Sequence, residues 1–480
     1  EMQRSLVGSE MCIRDRFYPD PNSKLPLYKQ LYNHIKDGII SGKITGGERL
    51  PSRRKLAQKL NISTNTVLGA YQLLESEGYI VPKASSGFYV NPDYNLFQDS
   101  VHLDWETQSD AKYIFSQNGL ELSKIPKKSL ARIYRNAIYD QPDLFSHGEK
   151  PGDPCLRQAV AKYLYAVRGI KCDENQIIIG AGIDYILTCL CRVLGKDTVW
   201  GLENPCYRRS FSSIQDSVSE IRLINIGFNG FDIKNLLNSD IDVLYFMPNH
   251  QFPVGQIISE DKRREILDWA KMGNHYIVED DYDGSFIYQK NAPRSLFTMD
   301  DSERVILMGD FSRCLAPGIK IAYLVMPKPL IEKWSLKLPF YNCLASRAEQ
   351  FAVAELIKDG HAIKYVNSLR KIYKEKQDIL ISALNNLPFA NRLTIHGDNG
   401  GTHLLVTFKT EKTEQELKKS AYKAGVKIMP LSAFLFKQSD KLPDKTFIFG
   451  YGGLTNNEIE EGIAALSHSV SYTHLRAHET

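Results

Sequence analysis

Residues 51–90 read PSRRKLAQKLNISTNTVLGAYQLLESEGYIVPKASSGFYV, and their punctuation sets the first part of the fold. Pro51-Ser52 opens a short helix: the Ser52 hydroxyl caps it, Arg53, Arg54 and Lys55 fall in its first turns, and Leu56, Ala57 and Leu60 point inward. Asn61-Ile62-Ser63 is a three-residue turn. A further helix then runs from Thr64 to about Glu77, with Val67, Ala70, Tyr71 and Leu74 as its buried stripe. Gly78 ends that helix, and 79–81 with 87–90 read as two strands around Ser85-Ser86-Gly87. Upstream, Leu27, Leu31, His34, Ile35, Gly38 and Ile39 recur at helical spacing and predict an amphipathic helix ending around Ser41-Gly42. Helix, helix, short turn, helix and hairpin make a winged helix-turn-helix. Its second paired helix is slim enough for the major groove of DNA, with the wing beside the backbone.

Charge points the same way. The 480-residue chain carries a net +4, yet residues 17–90 alone hold ten Lys/Arg against five Asp/Glu, which leaves the remainder near neutral and slightly acidic. A basic head on a neutral body implies a polyanion partner for the head. At roughly 100–200 residues per domain, the length implies two to four domains. The 43% apolar content excludes disorder as the dominant state. Nothing approaches the ~20 apolar residues of a membrane helix, and no signal-peptide pattern opens the chain. Eight cysteines without a CxxC pair read as reduced thiols in a cytoplasmic protein, and no metal site is expected. The stretches 1–16 and 470–480 resemble translated adaptor sequence and are set aside as non-native tails.

Residues 91–112 are polar and aperiodic and read as a linker to a body spanning 113–468. There, short apolar runs at 177–179, 198–200, 243–246, 276–278 and 305–307 alternate with amphipathic stretches. That pattern predicts a mainly parallel α/β sheet with ligands at the carboxyl ends of its strands. Those ends carry chemistry: Gly180-Ala181-Gly182 before a helix, the cluster Glu279-Asp280-Asp281-Tyr282-Asp283, and Asp310-Phe311-Ser312-Arg313 followed by Lys320. Glycines opening a helix offer backbone N–H groups to an anion.

PLYKQLYNHIKDGIISGKITGGERLPSRRKLAQKLNISTNTVLGAYQLLESEGYI resembles the GntR-type winged helix of bacterial repressors over about 65 residues. The likeness implies operator binding in which Arg54 holds a phosphate beside Arg53 and Lys55, while Ser63, Thr64, Asn65 and Thr66 open the recognition helix. From about Tyr113 to Ser467 the markers HGEKPGDPCLRQAVAKYL, IIIGAGIDYIL, ENPCYRR, MPNHQFPVG, IVEDDYDGSF and GDFSRCLAPGIKIAYLVMP resemble the fold-type-I aminotransferases. The order of parts is similar to the MocR-type regulators, which fuse the two. The resemblance implies a pyridoxal phosphate site. Asp280 would pair with the pyridinium nitrogen and Tyr282 with the ring hydroxyl. Ala181, Gly182 and Ile183 would cradle the phosphate, helped by Ser312 and Lys320, and Tyr207 would stack on the ring. Arg208 or Arg209 would meet an effector carboxylate.

One residue departs from that pattern. The position after the phosphate-binding serine, a Schiff-base lysine in the family, is Arg313, and a guanidinium supplies no neutral primary amine. The carboxylate-binding arginine of the C-terminal strand is replaced by Ile448. The expected function is therefore a homodimeric transcription regulator that senses pyridoxal phosphate, bound without a covalent link, or an amino-acid-related effector, with no catalytic residue and no transaminase turnover. The alternatives are an aminotransferase with an accessory DNA-binding head and a cofactor-free dimerisation scaffold.

Overall fold

The computed structural model describes residues 17–471 apart from 18, 21–22, 24, 41–43, 84–85, 92–109, 229, 232, 289–291, 438 and 440. The expected helix end at Ser41-Gly42, the wing-tip Ser85, nearly all of the linker and the tails at 1–16 and 472–480 lie outside the described residues. The chain divides into two units, Glu1–Ser109 and Asp110–Thr480.

In the first unit the polar caps of the sequence do what their chemistry suggests. Helices α1 (Leu27–Ile40), α2 (Arg53–Leu60) and α3 (Thr64–Ser76) precede strands β1 (Ile80–Lys83) and β2 (Gly87–Val90). Ser52 Oγ accepts from Lys55 N–H at 3.3 Å and Ser63 Oγ from Thr66 N–H at 3.0 Å, so each hydroxyl takes up one orphan donor of a helix start. At the far end of α3, Gly78 takes φ +77°; Tyr79 N–H reaches back to Leu74 O at 2.9 Å and Gly78 N–H to Glu75 O at 3.0 Å. That pair of bonds needs a left-handed residue, which glycine supplies without strain. Leu31, Ile35 and Ile39 of α1 pack against Leu56, Val67, Ala70, Tyr71 and Leu74 to form the core. The antiparallel β1–β2 wing sets Ile80 opposite Val90.

The second unit holds β3 (Tyr113–Ile114), β4 (Ile177–Gly180), β5 (Val199–Asn204), β6 (Glu220–Asn225), β7 (Val243–Phe246), β8 (Tyr276–Asp280), β9 (Val305–Asp310) and β10 (Ala322–Val325). Seven of these form one sheet in the order β4-β10-β9-β8-β7-β5-β6, parallel except for β10, which runs antiparallel to both neighbours. The expected buried runs are its strands, while β6 and β10 are additions. Both faces are covered: Ile177 and Ile179 join one apolar cluster and Ile178 the other, which is why these strands read as unbroken hydrophobic runs.

Helices α4 (Pro154–Arg168), α5 (Ile183–Leu194), α6 (Arg208–Gln215), α7 (Glu260–Gly273), α8 (Arg347–Lys358), α9 (His361–Asn385) and α10 (Asn456–Ser471) belong to the same unit. Helix α10 runs two residues into the stretch set aside as a tail. A smaller antiparallel sheet contains β11 (Leu393–His396), β12 (His403–Phe408), β14 (Met429–Pro430) and β15 (Thr446–Gly450), while β13 (Val426–Lys427) pairs with β3.

The segment between β9 and β10 is closed at its neck. Asp310 stands opposite Ala322, Phe311 N–H donates to Ile321 O at 3.0 Å, and Ser312 Oγ donates to Ile319 O at 3.1 Å. Among the described residues, no helix is long and apolar enough to cross a membrane.

Candidate functional site

Parallel strands deliver their carboxyl ends to one side of the sheet, and a cavity of about 510 Å³ opens there. It is lined by Ala181, Gly182, Ile183, Tyr207, Asp280, Tyr282, Ser312 and Lys320, all eight residues expected to hold a cofactor, together with Arg209 and Arg313. β4 leads through Ala181 and Gly182 into α5, with Gly182 at φ +91° as N-cap. A β-carbon there would meet nothing within 4 Å, and the first N–H groups of a helix have no partner within the helix itself.

Asp280 ends β8 on the cavity floor and is buried. Tyr245 donates its hydroxyl hydrogen to Asp280 Oδ2 at 2.5 Å, while Oδ1 is buried with no hydrogen-bond partner. Burial pushes this carboxyl up to about 7, with the nearby carboxylates Asp310, Asp281 and Asp283 adding to the rise and the Tyr245 bond opposing it. A buried acceptor left open costs free energy until a donor meets it, so this oxygen is placed to take a donor brought by a ligand. Tyr282 Oη lies 3.2 Å from His250 Nδ1, and the Tyr207 ring stands edge-on to Phe252 at 5.5 Å.

Across the cavity, Asp310 Oδ1 accepts from Ser312 N–H at 2.9 Å and so sets the start of the β9–β10 segment. Arg313 donates from Nη1 to Thr402 Oγ1 at 2.8 Å and from Nη2 to Gln117 O at 3.0 Å. Asp283 Oδ1 lies 3.5 Å from Nη1, and the guanidinium sits 5.1 Å from the Tyr282 ring centroid. Behind it, His250 Nδ1 is 3.6 Å from Asp283 Oδ2, and His403 Nε2 faces Pro253 O at 3.0 Å. Burial pushes His403 down to about 3, which keeps its ring neutral. Lys320 is exposed.

The structure separates the two arginines expected to read an effector. Arg209 lines the cavity; Arg208 does not, since its Nε donates to Ala433 O and its guanidinium lies 5.3 Å from the Phe436 ring centroid. Neighbouring helical residues diverge by about 100°, so both cannot face one ligand. Ile448 is fully buried in β15, opposite Leu405 and Met429. Tyr245, Asp283, Asp310, Gln117 and Thr402 were missed as site residues. Asp283 and Asp310 stood in acid-bearing strand ends, but Gln117 and Thr402 carry no local signal at all.

On the first unit, Arg53, Arg54, Lys55, Ser63, Thr64 and Asn65 are exposed and Thr66 is half-buried. Ser63 Oγ is engaged by Thr66 through both N–H and Oγ1, the latter at 2.8 Å, so its first role is to cap α3. Thr64 and Asn65 then project from the first turn.

Residues 27–90 match the profile described as bacterial regulatory proteins, gntR family, and residues 114–466 match aminotransferase class I and II. The uncharacterized HTH-type transcriptional regulator YdeL of Bacillus subtilis (strain 168) is 34% identical over 450 residues, covering 92% of this chain and 96% of the relative. The probable rhizopine catabolism regulatory protein MocR of Rhizobium meliloti is 28% identical, covering 93% and 94%. In fold, the second unit is similar to the Pyrococcus horikoshii kynurenine aminotransferase, with TM-score 0.67 and 24% identity over 76% of this chain and 92% of that one.

Proposed function

Since the chain belongs to the MocR-type regulators, in which a GntR-family DNA-binding unit is joined to an aminotransferase class I and II domain, we propose that its body senses pyridoxal phosphate or an amino-acid-related effector by reversible binding, without transaminase turnover. The chain is a DNA-binding transcriptional regulator. The observation that carries it is Arg313, a guanidinium tied to Thr402 and Gln117 in a cavity otherwise furnished for the cofactor.

Pyridoxal phosphate, when bound, supplies an electron-withdrawing ring and an aldehyde that takes up amino groups. Asp280 Oδ1 would accept a hydrogen bond from the protonated ring nitrogen, while Tyr245 keeps the carboxylate oriented through Oδ2. The N–H groups opening α5, with Ser312 and the Lys320 ammonium, would bind the phosphate. Tyr282 would meet the ring hydroxyl and Tyr207 would cover the ring. Arg313 stays protonated, so it gives no amine for covalent attachment and no base for moving a proton at the substrate carbon.

A homodimer is also supported. Ile138, Tyr139, Phe145, Leu336, Phe340 and Leu344 are exposed apolar side chains on two segments that Lys150 Nζ to Pro339 O at 2.5 Å and Arg347 Nη1 to Ser146 Oγ at 3.1 Å tie together. Such a patch on a regulator is suited to a second copy, which would present two DNA-binding heads to an operator with two half-sites.

The test is titration of the full-length chain with pyridoxal phosphate beside Arg313→Lys, read by calorimetry and visible absorbance. Wild type should bind saturably, release the ligand on dialysis and keep nothing attached after borohydride. Arg313→Lys should retain a borohydride-fixed adduct at that lysine. Turnover of an amino donor and a keto acid by wild type, or a fixed adduct at Lys320, would overturn the reading.

A further inference from the structure

The geometry points to Arg313 as the residue that selects the effector by its carboxylate, making the cavity a receptor for ligands anionic at two ends: a phosphate at the α5 start and a carboxylate at Arg313. This inference rests on the reading of the cavity as the effector site and goes beyond it by assigning a ligand class and the residue that discriminates it.

Three observations carry it. First, the guanidinium is not saturated. Among the described residues its hydrogen bonds leave from Nη1 and Nη2, one each, and Nε–H makes none, although the side chain is only 15% exposed and lines the cavity. A guanidinium has five N–H donors in a fixed fork, so several remain to be met. Second, its internal counter-charge is held off. Asp283 Oδ1 is 3.5 Å away and neither Asp283 oxygen has a hydrogen-bond partner, so the pair balances charge without closing the fork. An incoming carboxylate can therefore dock on Arg313 without first breaking a bidentate bond. Third, the C-terminal strand offers no alternative, because Ile448 is sealed in the apolar core. Arg209, the other guanidinium lining the cavity, is two-thirds exposed and 3.8 Å from Asp184, a position where water screens it.

The phosphate end of the ligand has its own partners in the same cavity: first-turn N–H groups and an ammonium suit a phosphate. A cation at each end excludes a ligand that presents an ammonium to Arg313 and favours one that presents a carboxylate, for which the planar fork is the matching partner.

Two stable probes separate the possibilities, N-phosphopyridoxyl-L-alanine and N-phosphopyridoxyl-ethylamine, which differ in the carboxylate alone. Calorimetry on the full-length wild type should show the alanine probe binding about tenfold more tightly or better, the scale of a hydrogen bond to a charged group. Arg313→Gln should bring the ratio of the two affinities close to one, and Arg313→Lys, which keeps charge but loses the fork, should give an intermediate ratio. Arg209→Gln should leave most of the preference in place. Equal binding of both probes by wild type, or a preference that survives Arg313→Gln and Arg313→Lys, overturns the assignment while leaving the cavity reading intact. Binding of neither probe overturns both.

Discussion

At the scale of single residues, burial governs the chemistry more than residue type does. Glu203 is wholly inside the body, where Met247 N–H and the Gln251 amide reach Oε2 at 3.1 and 3.3 Å, yet loss of water still pushes it up to about 8. Asp280 moves the same way, to about 7. For both groups the folded state holds a proton that the unfolded chain releases. Their contribution is therefore complete below the ordinary carboxylate range and is lost as pH rises through the folded values, at roughly 1.4 kcal/mol per unit for each group. The body should be less stable to urea at pH 9 than at pH 6. Glu203→Gln, which keeps an acceptor for Met247 and removes the titration, should shrink that difference; an unchanged difference would remove Glu203 as its source. Such residues were not legible in the sequence, since Glu203 looks like any strand-end acid until Met247 and Gln251 close over it. Arg313 was legible, because its defect is one of functional group and needs no coordinates. Arg208 and Arg209 stayed alternatives in the sequence, because a sequence position does not say which way a helix start faces; Arg209 is the one that lines the cavity.

At the scale of elements, the sequence marks structure where local chemistry is self-sufficient. Ser52, Ser63 and Gly78 mark helix ends by bonds within a few residues, so α2 and α3 could be drawn from the sequence almost to their ends. Ser63→Ala should cost about 1 kcal/mol at the start of α3, seen as roughly fivefold faster hydrogen exchange in its first turn within the full chain. Arg54→Ala should weaken DNA binding on every sequence alike and lower the salt slope by about one, whereas Asn65→Ala should alter sequence preference; fluorescence anisotropy on a set of duplexes across salt concentrations checks both. The strands that escaped notice are instructive. β6 alternates charged and apolar residues at the sheet edge and is half-exposed. β10 is four buried apolar residues, the same signal as β4 and β7, and was passed over beside the polar loop that precedes it.

At the scale of the whole molecule, the sequence showed a basic head and a neutral α/β body, and both are present. It could not show which segments meet around the cavity, since Gln117, Asp283, Arg313 and Thr402 are brought together only by the fold. Self-association belongs to this scale. Phe340, at 92% exposure the most open of the large apolar side chains, is the position to charge. Phe340→Asp should shift the chain from dimer to monomer in sedimentation velocity and weaken operator binding at least tenfold by removing the second head; a dimer unaltered by that change would move the interface elsewhere. The closed neck of the β9–β10 segment has a further consequence. Ser312, Arg313 and Lys320 ride on one loop pinned by Phe311 N–H to Ile321 O and by Ser312 to Ile319. With the phosphate and carboxylate sites proposed above both filled, this pinned loop would make them the jaws of a calliper. The cavity would then gauge a length as well as a charge, and a ligand with a longer spacer between its two anionic groups would seat one end at the expense of the other.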